Sequence, residues 1–456
     1  MRIHSRQLSK HDSSSLLGDL MRLRFLHAAL LAVAGLLAPA QIHAQTGTAK
    51  APAGSALSTG LAIAKQHRVD AIGERRFTHA AFWAAVEPSL ASRAFRTEVI
   101  GRSILGRDIR AVTFGTGPVT VLLWSQMHGD EATATMALAD IFHFLAEAEE
   151  HPLRERLRQA LTIVFVPMLN PDGAELFQRE NAAGVDVNRD GRRRATPEAQ
   201  ALKRIRDRVE PRFAFNLHDQ SARTRVGRSG EQAAIALLAP AFDAERSYND
   251  VRSRARLVAA EIATLLAPEL RGRIAKYDDA FNPRAFGDLM QTWGASTVLI
   301  ESGALPDDPQ KQRLRALHVP AILGALDAIA TRRYESADPA AYDSLPFNTG
   351  GASDLFIRGA QLVLPGRPPL QVDVAVNYED AVARVDGRIR EVGDLEGAVA
   401  IDTLDATGLF LHPRPDALMR RDDDAWLRIG APAALDLRRG ADPSSELVRA
   451  FGDAAK

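Results

Sequence analysis

Cysteine is absent from this chain of 456 residues. Its absence excludes disulfide bonds, thiolate metal ligands and cysteine nucleophiles. Any metal ion that the protein binds must therefore be held by histidine, aspartate or glutamate side chains. An excess of charge of either sign is also absent, because 57 basic side chains balance 57 acidic ones. Balanced charge gives no reason to expect a nucleic acid or an anionic membrane as a partner.

A hydrophobic run long enough to span a bilayer is a further feature that the sequence lacks. Near the amino end, Arg22 and Arg24 precede the apolar run Phe25–Leu37, which has the length of a signal-peptide core and is too short for a membrane span. We therefore predict a leader over residues 1–44, a secreted or periplasmic protein and no stable membrane span. The alternative is an uncleaved amphipathic anchor.

The rest of the chain is typical of a soluble globular protein, with 46% apolar and 25% charged residues. Residues 45–60 are rich in small and polar side chains, which predicts a linker. Apolar runs alternate with helical patterns from 61 to 335, and this predicts a catalytic domain. From 350 to 456 short apolar segments are divided by glycine and proline, which predicts a small β-rich accessory domain.

Four apolar runs in the predicted catalytic domain are short and rich in β-branched residues, as in strands that are buried on both faces. They are Val119–Trp124, Leu161–Pro167, Phe213–Leu217 and Thr297–Ile300. Because helices separate them, they indicate βαβ units and an α/β fold with a mostly parallel central sheet. Right-handed crossovers bring the carboxyl ends of such strands to one edge, where ligands bind.

Three of these runs are followed by a histidine or a glutamate. His128 and Glu131 follow the first run, His218 follows Leu217 directly and Glu301 follows Ile300 directly. The first two residues could equally be a histidine in a polar turn and an acid that stabilises a helix start. Three such strand ends on one edge nevertheless favour a functional site.

Two imidazoles and one carboxylate would leave a fourth position open on tetrahedral zinc. We therefore interpret His128, Glu131 and His218 as candidate ligands of one Zn²⁺ per chain. Glu301 is a candidate general base, because a carboxylate beside a zinc-activated water can take its proton and pass it to a leaving amine. The alternative for Glu301 is a carboxylate that is satisfied at a helix start or by an arginine.

These residues belong to motifs that resemble those of the funnelin-type zinc carboxypeptidases. The motifs occur in the family's order and are His-Gly-Asp-Glu at 128–131, Asn-Pro-Asp-Gly at 170–173, Gly-Val-Asp-Val-Asn-Arg-Asp at 184–190, Leu-His at 217–218 and Ile-Glu-Ser-Gly at 300–303. The resemblance covers roughly residues 62–330. It implies an eight-stranded mixed sheet flanked by helices, and removal of the carboxy-terminal residue of a peptide.

The same resemblance implies roles for individual residues. By position, His128, Glu131 and His218 correspond to the zinc ligands and Glu301 to the general base. Arg179 resembles the arginine that stabilises the oxyanion of the tetrahedral intermediate, since a charged, forked donor suits developing negative charge.

The resemblance also implies which residues bind the carboxy-terminal end of the substrate. Asn188 and Arg189 resemble the pair that holds the terminal carboxylate, which an arginine can bind through two hydrogen bonds. Tyr277 is a candidate for the family's mobile tyrosine, although a tyrosine after a strand is often a packing residue. The stretch Ala285–Asp288 offers both apolar and acidic groups to the substrate's last side chain, so hydrophobic and basic residues both stay open.

The resulting hypothesis is a secreted zinc metallocarboxypeptidase that acts on peptides or peptide-like substrates with a free carboxylate. One alternative is a zinc amide hydrolase, either an N-acyl amino acid deacylase or an amidase of peptidoglycan peptides, because zinc and Glu301 would serve equally there. A second alternative is a catalytically inactive peptide-binding protein. The presence of Glu301 together with the three candidate ligands speaks against the second.

Overall fold

A computed structural model describes residues 53–422 and 424–452. The predicted leader, residues 1–44, lies outside the described residues. The helices are α1 (Ala53–Gln66), α2 (His79–Leu90), α3 (Thr133–Glu147), α4 (Pro152–Ala160), α5 (Pro171–Leu176), α6 (Pro197–Val209), α7 (Asp250–Leu266), α8 (Phe286–Thr292), α9 (Gln312–Ala330) and α10 (Ala340–Asp343).

Two groups of strands follow the chain. The strands of the first group, up to residue 349, are β1 (Phe95–Arg102), β2 (Asp108–Phe114), β3 (Val119–Ser125), β4 (Leu161–Val166), β5 (Phe213–Asp219), β6 (Arg225–Val226), β7 (Ile235–Leu238), β8 (Ile274–Lys276), β9 (Ser296–Ser302) and β10 (Asn348–Thr349). The carboxy-terminal strands are β11 (Ser353–Leu362), β12 (Leu370–Asp380), β13 (Val385–Gly393), β14 (Ala400–Asp405), β15 (Phe410–Pro413), β16 (Leu418–Arg421), β17 (Asp424–Leu427), β18 (Leu435–Arg438) and β19 (Leu447–Phe451).

The central sheet has eight strands in the order β1-β2-β4-β3-β5-β9-β7-β8. The four middle strands, β4, β3, β5 and β9, run parallel, while β2 and β7 pair with them in the antiparallel sense. The predicted α/β fold with a mixed, mostly parallel sheet is therefore confirmed. The sequence patterns did not identify the short strands β7 and β8, which complete one edge of the sheet.

Strand β3 shows why these apolar runs form buried strands. Successive side chains of a strand point to opposite faces. Val121 and Leu123 pack into the larger core, beneath α3, α7 and α9. Leu122 and Trp124 pack into the second core, beneath α6 and α8. Because both faces are covered, the strand has no polar side to alternate with, and the run reads as continuously apolar.

The sequence Thr196-Pro197-Glu198 predicts a helix start, and α6 begins there. The Thr196 side chain accepts a hydrogen bond from the Ala199 backbone N–H at 3.3 Å, and Pro197 occupies the first turn of α6. A side-chain acceptor satisfies a backbone donor that has no partner within the helix, and proline needs no such partner. The local sequence therefore sets where α6 begins.

Helix α1 begins inside the segment that the sequence predicts as a linker, residues 45–60. Leu57, Ile63 and Ala64 are buried in the larger core. An apolar side of this short helix thus packs against the domain, with α9 as its main neighbour. Small, helix-compatible residues such as alanine allow this packing, which composition alone does not distinguish from a linker.

The carboxy-terminal region is rich in β structure, as predicted. Strands β11–β15, β18 and β19 form a seven-stranded sheet, and β16 pairs with β17 in a separate hairpin. We call strands β11–β19 the C-terminal module. Its own apolar core contains Leu355, Ile357 and Leu437. The short strand β10, which precedes the module, pairs with β6 of the catalytic region.

One pair of predicted strands in the C-terminal module is a single strand. The sequence patterns suggest separate strands at Leu355–Ile357 and Gln361–Leu364, whereas β11 runs continuously from the first into the second and ends at Leu362. The pairing of β11 with β12 shifts register between Ile357 and Ala360, and Gly359 there has a φ of +70°. A bulge of this kind inserts an extra residue without ending the strand. The glycine therefore marks a bulge and not a turn.

A buried ion pair joins α3 to α9. Arg315 donates to both carboxylate oxygens of Asp140, at 2.5 and 2.8 Å, and to the Val69 carbonyl at 3.0 Å. Asp140 also accepts from the Val69 backbone N–H at 2.8 Å. Both charged side chains are almost completely buried. Each side chain neutralises the charge of the other, so removal of one leaves a buried charge without an opposite charge beside it.

We expect Asp140→Ala to lower the free energy of unfolding by about 3–5 kcal/mol, the usual cost of breaking a buried ion pair. Urea denaturation would measure the change. Arg156→Ala is a suitable control, because it removes an ion pair to Asp327 in which the arginine is 45% exposed. Its effect should stay below about 1 kcal/mol. Equal losses in the two variants would contradict the structural role of the buried pair.

Candidate active site

The loop after β3 carries His128 and Glu131 and is held against the Asn-Pro-Asp-Gly turn. The Leu169 and Asn170 backbone N–H groups donate to the Ser125 and Gln126 carbonyls at 3.1 and 3.0 Å. Gly129 lies so close to the backbone of Gly173 that a Cβ at Gly129 would collide with it. The His-Gly-Asp-Glu loop and the Asn-Pro-Asp-Gly turn are thus packed tightly together. This packing sets the position of His128.

His218 and Glu301 lie at matching positions on neighbouring parallel strands. In the pairing of β5 with β9, His218 and Glu301 are register partners. Strand β3 lies on the other side of β5, with Ser125 opposite Leu217. The common edge that the sequence predicts therefore exists, and it brings all four residues to the carboxyl ends of three adjacent strands.

Glu131 lies between the two histidines. Its Oε1 is 2.7 Å from His128 Nδ1, and its Oε2 is 2.5 Å from His218 Nδ1. One potential ligand atom from each of the three residues lies within 4.8 Å of the others, and all three side chains are buried. Two imidazole nitrogens and a carboxylate oxygen are a donor set that suits zinc. These residues could therefore hold a metal ion.

Burial and neighbouring charges shift the pKa values of the two glutamates, Glu131 and Glu301, in opposite directions. Burial by itself would raise the pKa of Glu131, but the neighbouring imidazoles of His128 and His218 lower it well below its usual value. Burial raises the pKa of Glu301 well above the usual value, and the negative charge of Glu131 raises it further. Two nearby carboxylates with pKa values that are driven apart are typical of sites in which the two groups have different tasks.

Arg179 lies next to the three candidate ligands. Its Nη1 is 3.1 Å from His128 Nδ1 and 3.3 Å from Glu131 Oε1. The backbone carbonyl of Arg179 accepts from the Asn170 side-chain amide at 3.3 Å, so the Asn-Pro-Asp-Gly turn also positions this arginine. The structure thus brings Arg179 to the place that the sequence predicts.

Asp186 is a site residue that sequence analysis did not single out, although it lies in the motif at 184–190. Its Oδ1 is 3.0 Å from His128 Nε2, and its Oδ2 accepts from Arg179 Nη2 at 2.8 Å. A proton on Nε2 that is donated to Asp186 leaves the Nδ1 lone pair of His128 free for a metal. Partners of this kind orient metal-binding imidazoles.

Asn188, Arg189 and Tyr277 line a cavity of about 820 Å³ that also contains the candidate ligands and Glu301. The Asn188 side-chain oxygen accepts from the Phe286 backbone N–H at 2.9 Å, and its Nδ2 is 3.4 Å from His218 Nε2. Arg189 lines the cavity, and its guanidinium donates to the Asn188 carbonyl at 2.9 Å. These side chains are available to a ligand.

Tyr277 follows β8 directly, and its backbone N–H donates to the Leu237 carbonyl at 2.9 Å. The charge of Glu301, together with burial, raises the pKa of its hydroxyl to about 12. The hydroxyl therefore stays protonated near neutral pH and can donate a hydrogen bond within the cavity. Its role as a substrate-binding residue stays a prediction.

Only three of the four residues in the stretch Ala285–Asp288 line the cavity. Ala285, Gly287 and Asp288 line the cavity, whereas Phe286 is fully buried in the second core. Apolar surface comes instead from residues such as Leu299 of β9. Burial raises the pKa of Asp288 to about 6, and its carboxylate accepts from the Asn282 backbone N–H at 2.8 Å.

Comparison with known proteins gives a family for this region. A sequence model of the family described as zinc carboxypeptidase matches residues 83–221. Residues 83–221 are therefore similar in sequence to zinc carboxypeptidases. The resemblance that rests on the sequence motifs is thereby confirmed. The matched residues include the three candidate ligands, Arg179, Asn188 and Arg189, whereas Tyr277 and Glu301 lie beyond them.

Proteins with similar sequences include some that are named carboxypeptidases. The protein named probable carboxypeptidase 2 of Arthroderma benhamiae is 28% identical over 107 residues, which are 23% of this chain and 20% of that protein. This chain thus matches about a fifth of the length of that relative.

Solved structures of carboxypeptidases are also similar to this chain. A metallo-carboxypeptidase from Burkholderia cenocepacia has a TM-score of 0.45 at 18% identity, over 55% of this chain and 70% of that one. Bovine thrombin-activatable fibrinolysis inhibitor, solved in complex with tick carboxypeptidase inhibitor, has a TM-score of 0.47 at 12% identity, over 56% and 98%. Separately, within residues 53–422 and 424–452 no helix has the length and apolar character of a membrane span.

We expect Asp186→Asn to weaken zinc binding by about 10–100-fold, because the variant loses the charge that orients His128 and raises its basicity. Competition with a chromophoric chelator would measure the affinity. Asp207→Asn is a matched control, since Asp207 pairs with Lys203 on the exposed side of α6. Unchanged affinity in Asp186→Asn would reject the positioning role.

Proposed function

We propose that this protein is a zinc-dependent metallocarboxypeptidase, which hydrolyses the last peptide bond of a substrate with a free carboxylate. The observation that carries the proposal is the arrangement at the sheet edge. His218 and Glu301 are register partners on β5 and β9, and His128 and Glu131 follow the adjacent β3. The match of the family model to residues 83–221 supports the same activity.

His128, Glu131 and His218 are the residues that would hold the zinc ion. Bound zinc supplies Lewis acidity, which polarises a carbonyl and brings the pKa of water toward neutrality. The histidine pair and the carboxylate offer donors that zinc prefers, and all three side chains are buried. Asp186 keeps the His128 ring in the orientation that directs Nδ1 toward the other two residues.

Glu301 is proposed to move the protons of the reaction. As general base it would accept a proton from the attacking water, and as general acid it would pass that proton to the leaving amine. The raised pKa of this buried carboxyl suits the second task, because a proton that it has accepted is retained until the amine is formed. Its position beside the ligand cluster favours an enzyme over an inactive binding protein.

Polar and charged residues of the cavity would contact the scissile carbonyl group and the terminal carboxylate of the substrate. Arg179 would stabilise the negative charge that develops on the carbonyl oxygen, since its guanidinium lies at the ligand cluster. Asn188 and Arg189 would hold the terminal carboxylate. Tyr277, whose hydroxyl keeps its proton, would donate a hydrogen bond to the bound substrate. With the leader predicted for residues 1–44, we propose that the enzyme acts outside the cytoplasm.

A pair of variants separates the proposed catalytic role from the proposed metal-binding role. We expect Glu301→Gln to retain bound zinc while kcat falls by at least about 10²-fold, the lower range for loss of general base catalysis. We expect His218→Ala to lose zinc, because one of three ligands is removed. Metal analysis of the purified variants and hydrolysis assays would measure both properties. Near-normal activity of Glu301→Gln, or an unchanged zinc content of His218→Ala, would reject the respective role.

A peptide library would test the position of the cleaved bond. We expect mass spectrometry to detect products that are shorter by one carboxy-terminal residue, because Asn188 and Arg189 would bind a free carboxylate next to the scissile bond. The same peptides with amidated carboxyl ends are the matched control and should react far more slowly. Cleavage at internal bonds, or equal rates for free and amidated peptides, would contradict the proposal.

A further inference from the structure

A second cavity lies next to the first and is lined by Glu131, one of the candidate ligands. Its volume is about 850 Å³, within the range of ligand-binding sites. Five residues line both cavities, and they are Glu131, Arg179, Asp219, Gln220 and Ser221. The two cavities therefore adjoin at these residues, and we call them together the cleft. Neither Asn188, Arg189 nor Tyr277 lines the second cavity.

The C-terminal module supplies one wall of this second cavity. Glu379–Val382, Val385 and Asp386 line it, and they lie at the end of β12, at the start of β13 and in the connection between them. We call residues 379–386 the 379–386 turn. Arg75, Arg76 and Phe177 of the catalytic region also line the cavity. A substrate in this cavity would therefore contact both parts of the chain.

An ion-pair cluster anchors the 379–386 turn. Asp380 Oδ2 accepts from Arg76 at 3.1 Å and from Arg75, while its Oδ1 accepts from the Val382 and Ala383 backbone N–H groups at 3.1 and 3.0 Å. The same carboxylate thus shapes the turn and binds it to the catalytic region. Charge-assisted bonds to arginine give such a contact geometric specificity.

A second anchor lies beside the first. Arg223, which follows β5 and also lines the cavity, donates to Asp354 at 3.0 Å and to the Tyr378 carbonyl. Asp354 in turn accepts from the Tyr378 backbone N–H at 2.6 Å. Because Asp354 lies near the start of β11 and Tyr378 near the end of β12, this contact holds both strands against the catalytic region, next to the 379–386 turn.

The first anchor also reaches the site through Phe177. The guanidinium carbons of Arg75 and Arg76 lie 5.1 and 4.5 Å from the centre of the Phe177 ring. Phe177 has a φ of +50°, and this left-handed conformation ends α5 and redirects the chain two residues before Arg179. Phe177 also lines the second cavity, together with both arginines.

Three polar side-chain atoms of residues that line the second cavity lack hydrogen-bond partners. Among the described residues, Asp130 Oδ1, Asp219 Oδ1 and Gln220 Nε2 are buried side-chain atoms without a hydrogen bond. Buried polar atoms normally have partners, because an unpaired group loses its hydration without compensation. Two acceptors and one amide donor match the N–H and C=O groups of a peptide backbone.

The position of Arg189 gives the cleft a direction. If Asn188 and Arg189 hold the terminal carboxylate, the first cavity contains the residue that is released. The scissile bond lies at the ligand cluster, and the rest of the peptide must continue beyond it. The second cavity is the space that continues from the cluster.

We propose that the C-terminal module forms the outer wall of the part of the cleft that binds the peptide on the amino side of the scissile bond. The ligand is an extended peptide backbone of several residues and not a single acylated amino acid. This inference rests on the proposed function for the direction of the substrate. The 379–386 turn is then a substrate-binding element, held in place by Asp380.

Binding to the zinc-loaded Glu301→Gln variant tests the inference without relying on hydrolysis. The probes are acetylated peptides that end in leucine or arginine and carry one to four alanines before that residue. We expect calorimetry to show that the Kd of the better series falls by about tenfold in total as the alanines are added, since each residue gains backbone hydrogen bonds. A Kd that does not change with length would overturn the inference.

Substitutions in the same background test the contribution of the C-terminal module. Asp380→Asn keeps the acceptor for Val382 and Ala383 but loses the charge that binds Arg75 and Arg76, and it should remove most of the gain in affinity with length. Arg76→Ala, at a side chain that is 59% exposed, should reduce the same gain without a folding defect. Arg384→Ala is the matched control, because Arg384 lies in the turn and pairs with Asp402 but does not line the cavity.

The outcomes separate the inference from the proposed function. Loss of the length-dependent gain in Asp380→Asn and Arg76→Ala, with the gain retained in Arg384→Ala, supports the role of the module. A full gain in both test variants would overturn it. If affinity grows with length but the wild-type protein hydrolyses none of these peptides, the proposed function fails and the binding surface stands. If hydrolysis occurs with length-independent affinity, the inference alone fails.

Discussion

Sharing of the buried Glu131 carboxylate between two histidines is the interaction on which the site depends. Its two oxygens face the Nδ1 atoms of His128 and His218, and Arg179 and the Asp219 backbone N–H contact the same oxygens. A buried carboxylate needs such partners, because the loss of hydration would otherwise raise its free energy by several kcal/mol. The contacts bring together residues from three separate parts of the chain, and the surrounding loops are built to satisfy them.

The parallel sheet supplies the precision of this arrangement. Register pairing sets His218 and Glu301 side by side, and the neighbouring β3 carries the loop of His128 and Glu131. Sites that are built on strands vary less in geometry than sites on loops alone. The remaining charged residues come from the long loop between α5 and α6, which its own side chains hold. Asp186 accepts from the Asn188 backbone N–H, and Asp190 accepts from that of Thr196.

The C-terminal module has a core of its own, and its contacts with the catalytic region are charged and specific. Asp380 binds Arg75 and Arg76, and Asp354 binds Arg223. All three arginines line the second cavity, so the contacts that hold the module also shape the cleft. These contacts are the basis of the proposed role of the module in binding longer peptides.

The sequence by itself determined the fold class and the four residues at the strand ends. Apolar runs that alternate with helices allow few topologies, and a residue directly after a parallel strand must lie at the carboxyl edge of the sheet. Only the tertiary structure decided that Asp186 orients His128, that Phe286 packs in the core and that the 379–386 turn borders the cleft. Asp380 lies 304 positions from Arg76 along the chain. Periodicity and local propensity describe neighbours in sequence, whereas such contacts depend on how distant segments pack.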